Sequence, residues 1–162
     1  PSLEYAESYR AALEEFKAQN IHGFWELFGP LENAQEYIQK MQLYEHKVSA
    51  PEGLVPASVY WLIDHGEFVG HTSIRHELNA SLEKIGGHIG FHIRPSKQGK
   101  GYGTVILKLA LEKAGQLGIE RALVTCDAEN IASKRVIEKN GGVFQDEVEA
   151  HGQKVLRFWI EM

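Results

Sequence analysis

The 162-residue chain has a single cysteine, Cys126, so no disulfide can form within it, which agrees with a reducing compartment. It lacks any apolar run near the ~18 residues of a bilayer crossing, and its start at Pro1 lacks the basic-then-apolar plan of a secretory leader. A cytoplasmic protein with no membrane partner is expected. Positive charge is also short, with 17 Lys and Arg against 22 Asp and Glu for a formal net charge of -5. Broad nucleic-acid binders cluster a basic excess on one face, so nucleic acid is not an expected partner. None of the eight histidines forms a compact ligand pair with other donors at zinc spacing, and no metal is expected. Internal repeats and low-complexity segments are missing as well. With 43% hydrophobic and 24% charged residues, the composition is that of an ordinary globular chain, and one domain over 1–162 is expected.

Against those absences stands a regular alternation of patterns. Residues 3–19 place Leu3, Ala6, Tyr9, Leu13 and Phe16 on one face at helical spacing. After a break at Gly29-Pro30, Asn33 can cap a second helix that turns Tyr37, Ile38, Met41 and Tyr44 inward. Pro51 and Pro56 then punctuate the chain before "SVYWLID", a β-branched and aromatic strand that "DHGE" folds back onto "FVGHTSIRHEL". A third strand, "GHIGFHIRP", leads into a glycine-rich stretch and a mostly buried helix, "TVILKLALEKAGQLG". "IERALVTCD" reads as an interior strand, 130–140 as a short helix, and the two segments around His151-Gly152 as a closing hairpin. The order α-α-β-β-β-α-β-α-β-β predicts an α/β (α+β) fold, a mostly antiparallel mixed sheet with about four helices packed on it.

The stretch "RPSKQGKGYG", residues 94–103, holds three glycines and three cations and no carboxylate. A strand feeding a glycine-rich loop that opens a helix is an anion cradle, because unpaired N–H groups and the helix dipole both point at the ligand. The spacing Gly99, Gly101, Gly103 with no following Lys-Ser pair excludes a P-loop, and the dinucleotide fingerprint fails because Thr104 stands where its third glycine belongs. What fits is Gln/Arg-x-x-Gly-x-Gly/Ala, matched by Gln98, Gly101 and Gly103. With "IGFHIRP" before it and "CDAENIASKRVIEKNGG" after it, the chain resembles the GCN5-related N-acetyltransferase (GNAT) family over about 58–160, most firmly over 88–142.

The resemblance implies a GNAT-like fold whose sheet is splayed at the cofactor site, and direct acetyl transfer from acetyl-CoA to an amine, on a small molecule or a peptide. It implies that backbone groups of Phe91 to Ile93 pair with the pantetheine arm, that Gln98, Gly99, Lys100, Gly101, Tyr102, Gly103 and Thr104 take the pyrophosphate, and that Asn130, Ser133 and Arg135, with Lys134 beside it, hold further parts of the cofactor. A homodimer is common in the family, as is a first strand, which would precede Pro1 here. The family's usual acid, a tyrosine seven residues after the asparagine, is Ile137 in this chain, and no tyrosine follows Tyr102. Cys126 and Ser133 are the local substitutes as proton donors. For the base, the third strand offers His88 and His92 on one alternating face, and Glu77 ends the partner strand. His88 reads as well as a hydrogen-bonded structural residue, and His92 reads better as one. Phe24, Trp25, Tyr60 and Trp61 form a candidate apolar wall for the acceptor. The alternative activity is an acyl-CoA-binding module that has lost catalysis.

Overall fold

The computed structural model describes residues 1–28, 30–48, 50, 53–150 and 152–162, so the expected features at Gly29, Pro51 and His151 lie outside the described residues. A 3-10 turn at Leu3–Tyr5 runs into α1 (Ala6–Ala18), a second at Phe24–Phe28 precedes α2 (Ala34–Leu43), and β1 (Ala57–Asp64), β2 (Glu67–Arg75) and β3 (Ile89–Ile93) follow. Then come α3 (Tyr102–Gln116), β4 (Arg121–Asp127), α4 (Ile131–Lys139), β5 (Val143–Ala150) and β6 (Gln153–Glu161). The Asn33 side chain accepts from the N–H groups of Gln35 and Glu36 at the start of α2, as its position predicts. His65 and Gly66, with φ of 47° and 79°, give the β1–β2 turn the paired positive angles of a type I′ hairpin, whose twist matches the strands it joins.

The expected mixed sheet is divided. β1-β2-β3 form one three-stranded sheet and β4-β6-β5 another, and every pairing among the described residues is antiparallel. β4 is therefore an edge strand rather than an interior one, with β6 at the centre of its sheet. Its continuous apolar run is still explained, because Ala122, Leu123, Val124 and Cys126 are all buried.

Two cores sit on either side of the first sheet. One gathers Tyr9, Phe16, Trp25, Phe28, Tyr37 and Met41 from the N-terminal helices over Val59 and Phe68. The other joins the two sheets to α3 and α4 through Ile74, Ile89, Leu107, Val124, Ile137 and Phe158. The α1 face is rotated from expectation: Ala12 is buried where Leu13 is only half-buried, and Leu3 is exposed. α3 is also more open than its sequence suggests, burying Ile106, Leu107, Ala110 and Ala114 while Val105 and Leu109 reach solvent.

Candidate functional site

The gap between β3 and β4 is built by two residues at its closed end. His88 donates its N–H to the Leu123 carbonyl at 2.7 Å, and its Nδ1 accepts the Leu123 N–H at 2.9 Å. Since an amide can only donate, Nδ1 is the unprotonated nitrogen and the proton of the neutral ring lies on Nε2. Gly87, at φ 58°, lets the strands come this close: a Cβ there would collide with the Leu123 carbonyl, whose carbon would stand 2.8 Å away.

Beyond this apex the two strand edges face each other unpaired. Arg75 N–H donates to His88 and Arg94 N–H to Val69, and antiparallel pairs alternate, so Ile89, Phe91 and Ile93 direct their own N–H and C=O groups into the gap. By the same reasoning, the bonds Ala128 to Lys154 and Met162 to Glu120 turn the backbone of Thr125 and Asp127 into the gap from β4. The resulting cleft, of about 260 Å³, brings together Phe91, His92, Cys126, Asn130 and Ser133, five of the residues singled out in the sequence. The Asn130 side chain accepts from the Ser133 N–H at 3.0 Å and caps α4, which fixes both residues at the cleft's edge. Burial, with Asp127 beside it, pushes the Cys126 thiol up, against a hydrogen bond to Ser133.

Other predicted residues lie elsewhere. His88 is at the apex, with its ring committed to Leu123. Glu77 is exposed and pairs with Lys47 at 3.3 Å, away from the cleft. Arg135 is exposed on α4, and Lys134 pairs with Glu138. Ile137 is fully buried in the core between the sheets, so a side chain there has no route to the cleft.

At the open end lies the glycine loop. Gly99 and Gly101 have φ of 74° and 87°, and the N–H groups from Gly99 to Gly103 have no acceptor among the described residues. Five successive free donors at a helix start form an anion nest. Gly103 serves a different need, since a Cβ there would stand 3.0 Å from Val136 and push α3 off α4. The three cations are less available than their sequence suggests. Arg94 pairs with Glu15 of α1 at 2.7 Å, Lys97 pairs with Glu67 of β2, and Lys100 alone has no carboxylate partner among the described residues. The Gln98 side chain donates to the Ile93 carbonyl, and the Tyr102 hydroxyl donates to Asp64 at 2.6 Å.

On the face of the first sheet toward α1, Trp61, His71 and His92 stand in one cross-strand row. Tyr9 stacks on Trp61 with centroids 4.2 Å apart, and Phe16, Phe24 and Trp25 cover the imidazoles. Strand alternation sends Tyr60 to the opposite core, so the expected four-residue wall reduces to Phe24 and Trp25, with Trp61 further along the row. The buried side-chain polar atoms without a partner among the described residues, Trp61 Nε1, His71 Nδ1 and Nε2, and His92 Nδ1, all fall in this row. Burial holds the His71 pKa well below the usual histidine range. The same cause, with Arg75 adding to it, pushes His92 down to about 4. Both rings are neutral near pH 7.

Two residues that matter here fell outside the expected site residues. His71 is directly opposite His92 in the register. Arg75 lines the cleft on the same face, its Nη1 donating to the carbonyls of Gly86 at 3.0 Å and Gly87 at 3.2 Å. The sequence signal was available: positions 71, 73 and 75 of a strand share a face, and a charged residue at the end of an otherwise buried face is out of place.

Comparison with known proteins agrees with this fold. The family model described as an acetyltransferase (GNAT) domain matches residues 5–143. A spermidine N-acetyltransferase of Vibrio cholerae is similar in structure, with a TM-score of 0.64 at 19% identity, over 96% of this chain and 90% of that one. A ribosomal-protein-alanine N-acetyltransferase of Brucella melitensis gives 0.65 at 15% identity over 99% and 97%. YncA of Salmonella typhimurium, solved with its cofactor acetyl-CoA, gives 0.61 at 16% over 96% and 85%. At these identities the likeness is one of fold. No curated protein sequence matches the chain.

Proposed function

The chain belongs to the GNAT acetyltransferase family, and from that premise we propose that it transfers an acetyl group from acetyl-CoA to an amine within a single ternary complex, with His92 as the base. The observation that supports the reading is the parted pair of strands, with His92 lining the cleft between them and the anion nest following directly at the end of β3. The fit to the cofactor rests on those free donors: Gly99 to Gly103 suit a pyrophosphate, and the outward backbone of Phe91 and Ile93 suits an extended amide-bearing arm. Acetyl-CoA supplies the activated acyl carbon. Asn130 and Ser133 border the same cleft.

The amine attacks in its unprotonated form, and His92 takes the proton that its nitrogen must lose as the N–C bond forms. The Phe91 N–H, directed into the cleft, offers a fixed donor to the carbonyl oxygen as it becomes negative. When the C–S bond breaks, the Cys126 thiol, kept protonated by burial, is placed to give the departing sulfur a proton and to regain one afterwards. His88, its Nδ1 held by Leu123, maintains the apex and leaves the base role to His92. Phe24, half-buried beside His92 and backed by the buried Trp25, provides the apolar side of the acceptor site.

The test is release of free CoA thiol from acetyl-CoA offered polyamines, aminoglycosides, amino acids and lysine peptides. Amine-dependent release that falls in His92→Gln supports the reading. Tight acetyl-CoA binding with no release for any amine would instead support a binding module without catalysis, which the sealed position of Ile137 favours.

A further inference from the structure

Arg75 is largely buried, and no carboxylate among the described residues pairs with it. A buried charge without a partner is costly, typically several kcal/mol, and is retained where something else compensates it. Its Nη1 is fixed by two carbonyls, Gly86 and Gly87. Nε and Nη2 have no acceptor among the described residues. A Cβ on Gly90 would stand 3.5 Å from Nη1 and 3.6 Å from Nη2, so the guanidinium lies directly over Gly90, in space a side chain would otherwise occupy. Both residues line the cleft, as does His92.

We propose that Arg75 is a carboxylate receptor and that the acceptor is an amino acid with a free α-amine, held between Arg75 and His92. The proposal rests on the acetyltransferase reading above and names its substrate class. The spacing decides the class. A strand rises about 3.3 Å per residue, so a group over Gly90 is roughly 7 Å along β3 from His92. Two hydrogen bonds of about 2.8–2.9 Å, meeting the ligand at an angle rather than end to end, take up most of that span, so amine and carboxylate must be near neighbours, as they are across one carbon, and a long spacer does not fit. The planar fork, pinned on one side and open on the other, is the geometry with which arginine takes a carboxylate by two parallel bonds. Phe24, half-buried and packed against His92, gives the side chain of such an amino acid an apolar surface.

The experiment compares the wild-type protein on free L-amino acids, their α-amides and the matching decarboxylated amines, by thiol release and by calorimetric titration of the CoA-loaded protein. The free acids are expected to be favoured roughly 10- to 100-fold, the value of a charged hydrogen-bonded pair. Arg75→Lys keeps the charge but not the fork, and is expected to lose most of that preference; Arg75→Gln should lose all of it. Equal or better use of amides and decarboxylated amines overturns the proposal while leaving acetyl transfer intact. So does an Arg75→Lys defect of the same size for acids and non-acids, which would place Arg75 on the reaction's oxyanion. If no amine releases thiol, acetyl transfer fails, and the titration still decides: carboxylate-dependent binding lost in Arg75→Lys supports the receptor, and its absence refutes it.

Discussion

The glycine loop with its parted strand edges and the aromatic face beside His92 adjoin along β3 but are made of different materials. The first is backbone: free N–H groups, positive-φ glycines and a helix start. The second is side chain: two imidazoles, Arg75 and the rings of Phe24 and Trp25. A backbone surface tolerates change of residue wherever φ and space allow, so it can be kept while the acceptor face is rebuilt for another amine. The difference teaches that binding of the cofactor and choice of acceptor should be separable by mutation.

The largest expected separation comes from His92→Gln, which should cut turnover by roughly 10²–10⁴ while acetyl-CoA affinity, measured by calorimetry, stays near wild type. An equal loss of both would break the contrast. Gly87→Ala acts on the backbone side: strain at φ 58° plus the clash with Leu123 should cost roughly 3 kcal/mol in chemical denaturation and weaken cofactor binding with it.

The buried imidazoles should also show in stability. His92 titrates at about 4 in the fold and near 6.5 when unfolded. As pH falls below 6.5 the unfolded chain takes up the proton first, so the stabilisation is complete above that value and is lost on the way down to about 4. The unfolding free energy from chemical denaturation should fall by about 3 kcal/mol over that window, with His71 acting in the same direction, and His92→Gln should flatten the slope. Ile137→Tyr, which restores the family's tyrosine, should destabilise by about 1–3 kcal/mol through overpacking and bring no gain in turnover, because the position is sealed in the core. The smallest effect is that of Asn130→Ala. Loss of the α4 cap should cost about 1 kcal/mol and raise the acetyl-CoA KM with little change in kcat.

What the sequence revealed follows the same division. The order of elements, the Asn33 cap and the glycine loop were readable because each depends on near neighbours in the chain. Gly99 and Gly101 announce their backbone angles by their identity. The fate of the cations was hidden, because Glu15 and Glu67 reach Arg94 and Lys97 from distant elements. Likewise, that β3 and β4 meet only at His88 and Leu123 is a property of the assembled sheets. Arg75 needed the register as well: its importance appears only once Gly90 is known to lie beneath it.

A sheet with a gap in it is two cooperative units sharing a seam. Beyond the apex the edges of β3 and β4 make no hydrogen bond to each other among the described residues, so opening there breaks no ladder. A ligand that hydrogen-bonds both edges acts as the strand between them and ties the two units into one. Its affinity then reappears as folding stability, in proportion to its concentration over its dissociation constant. Amide hydrogens of Phe91, Ile93 and Thr125, which exchange readily when the seam is empty, would become a direct gauge of occupancy, residue by residue.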